Sequence, residues 1–147
     1  MKEYFMNEAL KEARRALIMK EVPVGAVIVK DGRVISRAHN LKETLSDPTA
    51  HAEILAIRSA CENLNNWRLN GCEMYVTLEP CAMCASAIAQ ARISKLCIGT
   101  FDPTAGACGS VIDLLGTNSL NYCVPVEWMY NEESSIILKE FFKMKRQ

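Results

Sequence analysis

The sequence predicts an α/β fold, a three-layer α/β/α sandwich with a mixed five-stranded sheet as its middle layer. Three observations lead to this prediction. Short runs rich in Val and Ile alternate along the chain with amphipathic or alanine-rich segments. Asp31-Gly32 separates two β-rich runs, which is typical of a hairpin with a type I′ turn. The later β-rich runs are separated by helical segments, so we expect those strands to pair in parallel.

The first half of the chain predicts a helix, a hairpin and a second helix. The opening segment has a helical pattern, because apolar residues recur at steps of three and four: Met6, Leu10, Ala13 and Leu17. Pro23 ends this pattern, and the two strands of the hairpin follow it. Asp47-Pro48 suits a helix cap followed by a proline at the first helical position, so we expect a helix over residues 50–64.

The second half of the chain continues the alternation. We expect strands over residues 73–78, 95–100 and 122–129, a helical turn over 111–115, and helices over 81–92 and 131–146. Pro125 lies in the last of these strands and confines it to a sheet edge. We find no repeat, low-complexity segment or linker, so we expect a single domain over residues 1–147.

The composition narrows the class of protein. The chain holds 17 Lys and Arg against 17 Asp and Glu, a balance that argues against broad affinity for nucleic acid but leaves a local basic patch open. No segment resembles a signal peptide or reaches the ~18 apolar residues of a membrane span, so we expect no membrane association. The seven cysteines are an odd number, which favours a reducing cytoplasm with metal-binding or catalytic cysteines over a disulfide framework.

Three residues suggest a metal site. Cys81 and Cys84 lie three positions apart at a predicted helix start, so their sulfurs point within ~60° of each other around the axis. A C-x-x-C pair is also typical of redox pairs and of simple core cysteines. His51 lies at another predicted helix start, and in open α/β sheets such starts gather at one edge.

The number of ligands suggests the role of the metal. A structural zinc site normally has four protein ligands, whereas a catalytic site has three and keeps a position for water. We find no convincing fourth ligand in the sequence, so the pattern favours a catalytic zinc. Glu53 is the candidate base that takes a proton from the water. The alternative for Glu53 is a first-turn glutamate that the helix dipole favours.

The closing helix carries a candidate nucleic-acid surface. Phe141 and Phe142 are adjacent, so they point ~100° apart and only one of them can be central to a buried face. Basic residues surround them: Lys143, Lys145 and Arg146. An exposed aromatic ring among basic side chains suits stacking on an unpaired base together with phosphate contacts. The alternative is an amphipathic terminal helix with a solvated basic tail.

These residues form a recognisable signature. His51-Ala52-Glu53 followed by Pro80-Cys81-Ala82-Met83-Cys84 resembles the H-x-E…P-C-x-x-C pattern of zinc-dependent nucleoside deaminases. The signature by itself identifies only the superfamily. Further stretches resemble the bacterial tRNA-specific adenosine deaminases over nearly the whole chain: EVPVGAVIV, DPTAHAEI, YVTLEPCAMC, DPTAG and FFKMKRQ. The chain departs from that family at two positions. Thr100 stands where the bacterial enzyme has alanine, and Phe101 stands where some relatives have a basic residue.

The resemblance implies a cytidine deaminase-like fold, one Zn²⁺ per subunit and a homodimer. The implied reaction is the hydrolytic deamination of adenosine to inosine at wobble position 34 of tRNA, with the anticodon stem-loop as partner. In this reaction Glu53 shuttles the proton of a zinc-activated water. The implied zinc ligands are His51, Cys81 and Cys84.

The resemblance also implies contacts to the substrate. Asn40 would hydrogen-bond the purine, and the backbone N–H of Ala52 would orient it. Val24 and Leu78 would form apolar walls, and Asp102 would contact the sugar. Two alternatives remain at this level: a deaminase of a free base or nucleoside, of guanine or cytosine type, and a zinc-stabilised binding module without chemistry.

Overall fold

A computed structural model describes residues 1–116 and 120–146. The predicted domain, residues 1–147, also includes positions 117–119 and 147, which lie outside the described residues. The described part contains, in chain order, α1 (Lys2–Ile18), β1 (Gly25–Lys30), β2 (Arg33–His39), α2 (Ala52–Leu64), β3 (Cys72–Leu78), α3 (Ala82–Gln90), β4 (Lys95–Thr100), β5 (Val126–Trp128) and α4 (Glu132–Lys145). None of these helices is long and apolar enough to cross a membrane.

The five strands form one mixed sheet in the order β2-β1-β3-β4-β5. β1 is antiparallel to both β2 and β3, whereas β3–β4 and β4–β5 are parallel. The predicted mixed sheet is therefore confirmed. Asp31 and Gly32 connect β1 to β2 with φ angles of 50° and 75°, and positive φ at both central residues is what a type I′ turn requires.

Helices cover both faces of the sheet, which gives the predicted three layers. Successive side chains of a strand point to opposite faces. Accordingly, Ala26 and Ile28 of β1 belong to a core cluster with apolar residues of α2 and α3. Val27 and Val29 belong to a second cluster with Phe5 and other residues of α1. α4 contacts α1 and β4, so it covers the same face as α1.

The second helix begins later than predicted. Its first residue is Ala52, and His51 in extended conformation precedes it as the N-cap. Pro48 is not in the helix. Asp47 instead closes a turn of its own, because its Oδ1 accepts hydrogen bonds from the backbone N–H and the hydroxyl of Thr49, at 2.8 Å and 2.7 Å.

Two other predicted elements differ from the structure. The prediction of a helical turn over 111–115 was wrong: Asp113 pairs in a β-bridge with Cys108, and the segment folds back on the loop before it. The last strand lies at the sheet edge as predicted, but it has three residues rather than eight. Pro125 has no N–H to donate, and the pairing starts with its carbonyl, which accepts from the N–H of Leu96 at 2.9 Å.

Candidate metal centre and its cavity

Three ligand atoms converge between the starts of α2 and α3. His51 is the N-cap of α2, Cys81 is the N-cap of α3, and Cys84 lies in the first turn of α3. The Nδ1 atom of His51 lies 3.7 Å from the Sγ of Cys81 and 3.5 Å from the Sγ of Cys84. The structure therefore brings together all three predicted metal ligands, with their ligand atoms within 4.8 Å of one another.

The local chain explains this convergence. β3 ends at Leu78, and Glu79-Pro80 then connects it to Cys81, which has an extended conformation. His51 is held before α2 by its own N–H, which donates to the carbonyl of Thr49 at 2.8 Å. Both helices direct their N-termini, the positive ends of their dipoles, toward the two sulfurs, and this stabilises thiolates.

Hydrogen bonds among the three ligand side chains shift their pKa values in different directions. The pKa of Cys81 is lowered to about 3, chiefly because the thiol of Cys84 donates a hydrogen bond to it and also because His51 lies beside it. The hydrogen bond with Cys81 raises the pKa of His51. The pKa of Cys84 is raised, chiefly by its hydrogen bond to Cys81 and by burial. A divalent cation takes the place of such shared protons, because metal ligands bind deprotonated.

The geometry fits a zinc ion. In a tetrahedral site with Zn–S near 2.3 Å and Zn–N near 2.0 Å, ligand atoms lie about 3.5–3.8 Å apart. The two measured N···S distances, 3.5 Å and 3.7 Å, agree with these values. Among the described residues, no fourth His, Cys, Asp or Glu joins the group. His51, Cys81 and Cys84 thus have the ligand number of a catalytic site and not of a structural one.

Glu53 lies beside these ligands and is almost completely buried, with 4% of its surface exposed. Burial raises the pKa of Glu53 to about 7. A side chain with this pKa can take up and release a proton near neutral pH. Glu53 does lie in the first turn of α2, as the alternative has it, and its burial beside the three ligands is the additional observation that suits a proton carrier.

A cavity of about 180 Å³ opens onto the site. His51, Glu53 and Cys81 line it. Every residue that the resemblance implied as a substrate contact also lines it: Val24, Asn40, Ala52, Leu78 and Asp102.

The sequence did not single out four further lining residues: Val22, Lys42, Glu79 and Ala105. The only signal for Val22 and Lys42 was their place two positions from Val24 and Asn40. The only signal for Glu79 was that it is an acidic residue two positions before the predicted ligand Cys81.

Two of the polar lining residues are oriented by the backbone. The amide of Asn40 donates to the carbonyl of Val22 at 3.3 Å, and its oxygen accepts from the N–H of Lys42 at 3.1 Å. The Oδ1 atom of Asp102 accepts from the N–H groups of Thr104 and Ala105, at 3.0 Å and 3.2 Å. Both side chains are thus held on the wall of the cavity.

A second cavity, of about 850 Å³, lies between α4 and residues 100–103. Its lining includes three predicted RNA-binding residues, Phe142, Lys143 and Arg146. Lys139 of α4 and Phe101 on the opposite side also line it. Phe142 is 47% exposed, whereas Phe141 is 5% exposed and belongs to the core. The structure therefore groups three of the five predicted RNA-binding residues at this cavity and places the ring of Phe141 in the interior. Lys145 is not among the lining residues, and its Nζ lies 5.6 Å from the ring centroid of Phe141.

The zinc-binding region of the cytidine and deoxycytidylate deaminases matches residues 1–100. The chain belongs to this deaminase family. The matched region contains all three candidate zinc ligands and Glu53. Zinc is therefore the metal that this geometry and this family both indicate.

The chain also resembles individual members of the deaminase family over its whole length. It is 52% identical to the tRNA-specific adenosine deaminase of Aquifex aeolicus (strain VF5) over 145 residues, which are 99% of this chain and 96% of that protein. A solved structure from a study of tRNA:A34 deaminases is 48% identical, with a TM-score of 0.89, and the match covers 92% of this chain and 99% of that one. The guanine deaminase of Bacillus subtilis is 32% identical, with a TM-score of 0.66, and the match covers 99% and 94%.

Loss of one ligand should release the metal from this deaminase. We expect the protein to bind about one zinc ion per chain and Cys84→Ala to retain little, because two protein ligands hold zinc far more weakly than three. Elemental analysis after gel filtration measures the zinc content. Cys61→Ala is the matched control, since Cys61 lies in α2 outside the ligand group and should keep full zinc. Equal zinc in Cys84→Ala and the control would contradict the assignment.

Proposed function

We propose that the protein is a zinc-dependent hydrolase that deaminates adenosine to inosine at wobble position 34 of tRNA. One observation carries this proposal: a buried glutamate lies beside a His/Cys/Cys ligand set at a cavity too small for more than one base. A base must leave its stack to enter such a cavity. The identity of about half of all residues with tRNA adenosine deaminases supports tRNA as the substrate rather than a free base.

The reaction needs a nucleophile and a proton carrier. The zinc ion, when bound, supplies Lewis acidity that makes water a nucleophile near neutral pH. Water adds its oxygen to C6 of adenine, and the C6–N bond breaks, so that adenosine and water give inosine and ammonia. The carboxylate of Glu53 accepts the proton of the attacking water, gives a proton to ring nitrogen N1, and helps the amine leave as ammonia. Its raised pKa suits both directions of transfer.

The walls of the cavity orient the base. Val24 and Leu78 present apolar surface to the faces of the purine ring, and the amide of Asn40 hydrogen-bonds its edge. The N–H of Ala52 belongs to the first turn of α2, where N–H groups have no partner within the helix, so it is available to the substrate. Asp102 lines the same cavity, which supports its proposed contact with the ribose.

The second cavity provides the surface for the anticodon strand. The exposed ring of Phe142 offers a stacking platform, and Lys143 and Arg146 offer cations to phosphates. Residues 100–105 separate the two cavities. When the flipped adenosine occupies the first cavity, the neighbouring nucleotides of the RNA strand can therefore reach the second cavity. Phe141 supports this surface from the interior, and Lys145 extends its charge. The chain is neutral overall, so this local patch carries the electrostatic attraction.

The proposal includes a homodimer in the cytoplasm. Val111 and Ile112 are about half exposed and follow the loop that lines the first cavity, so a second copy covering them would extend the RNA surface. Light scattering should then give twice the mass of 16.4 kDa, and a mass of one chain would contradict the dimer. The cysteines of the described residues form no disulfide, which agrees with a reducing compartment, and cell fractionation tests that location.

The central test is Glu53→Gln, an isosteric change that removes the proton carrier. We expect the rate of inosine formation to fall by roughly 10²–10⁴ while zinc is retained. The substrate is an anticodon stem-loop with adenosine at its wobble position, and replacement of NH by O increases its mass by about one unit.

Glu62→Gln is the matched control on the exposed side of α2 and should keep full activity. A wild-type protein that leaves the stem-loop unchanged but deaminates free guanine or cytidine is a deaminase of free bases or nucleosides. If Glu53→Gln retains full activity, the proton-carrier role is refuted.

The two phenylalanines of α4 should respond differently to truncation. Phe142→Ala is expected to weaken binding of the stem-loop by about 1–3 kcal/mol, the cost of one lost stacking contact. Phe141→Ala removes a core ring and should lower the free energy of unfolding by about 3–5 kcal/mol. Fluorescence anisotropy and urea denaturation measure the two quantities. Unchanged binding by Phe142→Ala would exclude the second cavity as the RNA surface.

A further inference from the structure

We propose that Glu79 is a positioning residue, whose carboxylate holds the loop of residues 102–110 as a wall of the substrate cavity. This loop carries Asp102 and Ala105, which line the cavity, so Glu79 determines where they meet the bound nucleotide. The inference deepens the proposed function and rests on it. Glu79 is neither a metal ligand nor a proton carrier in the proposed reaction.

The contacts of Glu79 fasten both ends of this loop. Its Oε1 accepts a hydrogen bond from the N–H of Asp102 at 2.9 Å and another from the hydroxyl of Ser110. Its Oε2 accepts from the N–H groups of Cys108 and Ser110, at 2.9 Å and 3.1 Å. Four donors from the loop thus meet one carboxylate.

The backbone of Glu79 adds a fifth link. Its N–H donates to the carbonyl of Thr100 at 2.9 Å, directly before the loop. Thr100 ends β4, which pairs in parallel with β3. The loop is therefore tied to the sheet as well as to the carboxylate.

The loop also closes tightly around the side chain. Glu79 is 2% exposed, and a Cβ at Gly106 would overlap its carboxylate. Glycine at 106 is thus required for this close approach. A carboxylate is the one side chain that presents acceptors on both oxygens, so it satisfies all four donors at once. Neither glutamine nor aspartate reproduces this arrangement, since one lacks the second acceptor oxygen and the other is shorter.

Other contacts hold the later part of the loop, because the N–H of Ala107 donates to the carbonyl of Pro80 at 2.9 Å and the side chains of Ala107 and Cys108 belong to the core. The part that lines the cavity, residues 102–105, has fewer contacts of this kind. Thr104 and Ala105 are exposed, and their hydrogen bonds to Asp102 remain within the loop itself. The hydrogen bonds to Glu79 connect this segment to the end of β3, from which the chain continues to Cys81. A change at Glu79 should therefore move the wall while the starts of α2 and α3 stay in place.

The test compares Glu79→Gln with wild type on the wobble-adenosine stem-loop, below the melting temperature of the variant. The amide NH₂ would face N–H donors, so we expect the loop to shift and KM to rise about tenfold, with kcat changed less than about threefold. Ser110→Ala removes one donor of the four and should raise KM by a smaller factor, about twofold to threefold. Zinc content should remain that of wild type in both variants.

Glu8→Gln is the matched control for losing a buried carboxylate. Glu8 lies in α1, is 5% exposed, and accepts from Arg37 at 2.7 Å outside the cavity. It should lower the melting temperature and leave KM unchanged. A purely structural Glu79 would behave in the same way, and that result would overturn the proposal, as would a loss of zinc in Glu79→Gln.

Two further outcomes are decisive. If Glu79→Gln does not fold, Ser110→Ala carries the test, and an unchanged KM in that variant would overturn the proposal. If wild type itself leaves the stem-loop unmodified, the proposed function fails first. An active wild type with unaltered KM in both variants refutes the role of Glu79 alone.

Discussion

The site depends on the close approach of two helix starts, those of α2 and α3. Both helices pack on one face of the sheet, and most of the apolar residues they bury there are small: Ala52, Ala56, Ala60, Ala85 and Ala89, with the larger Ile88 beside them. Small side chains let helices lie close to the strands and to each other, so the ligands at their first residues meet within a few ångströms. The same approach directs two positive helix ends at two sulfurs, which favours the thiolate ligands that a divalent cation requires.

The buried carboxylates nearest the cavity, Glu21, Glu53 and Glu79, differ in their hydrogen-bond partners. Glu79 and Glu21 accept hydrogen bonds from backbone N–H groups, and each holds a loop that follows one wall of the cavity. Burial acts to raise the pKa of Glu21, but hydrogen bonds from Thr44 and Glu43 leave it lowered overall. Burial dominates at Glu53, and its pKa is raised. A carboxylate well supplied with donors is a structural acceptor, whereas one with few donors is suited to carry a proton.

Residues 100–105, at the end of β4 and directly after it, line both cavities. One side of residues 100–105 lines the cavity at the metal centre, and the other side lines the cavity beside α4. Phe101, a departure from the family pattern, is exposed on the second side. Exposed side chains on loops vary more easily than residues at helix starts. Differences in substrate among deaminases of this fold are therefore expected to lie here rather than at the zinc ligands.

The sequence by itself determined the features that depend on neighbouring residues: the Asp31-Gly32 turn, the alternation of strands and helices, and the spacing of Cys81 and Cys84. The signature around His51 and Glu53 also predicted the metal centre, because the residue types and their spacing can be seen in the sequence, whereas the meeting of His51 with Cys81, 30 residues later, belongs to the tertiary structure. Tertiary structure decided what depends on residues far apart in the chain. Contacts between distant segments replaced the predicted helical turn over 111–115 with a bridge, turned Phe141 inward and Phe142 outward, and placed Glu79 under a loop more than twenty residues later. Local periodicity carries no information about such pairs, since their energy arises only when the chain has folded.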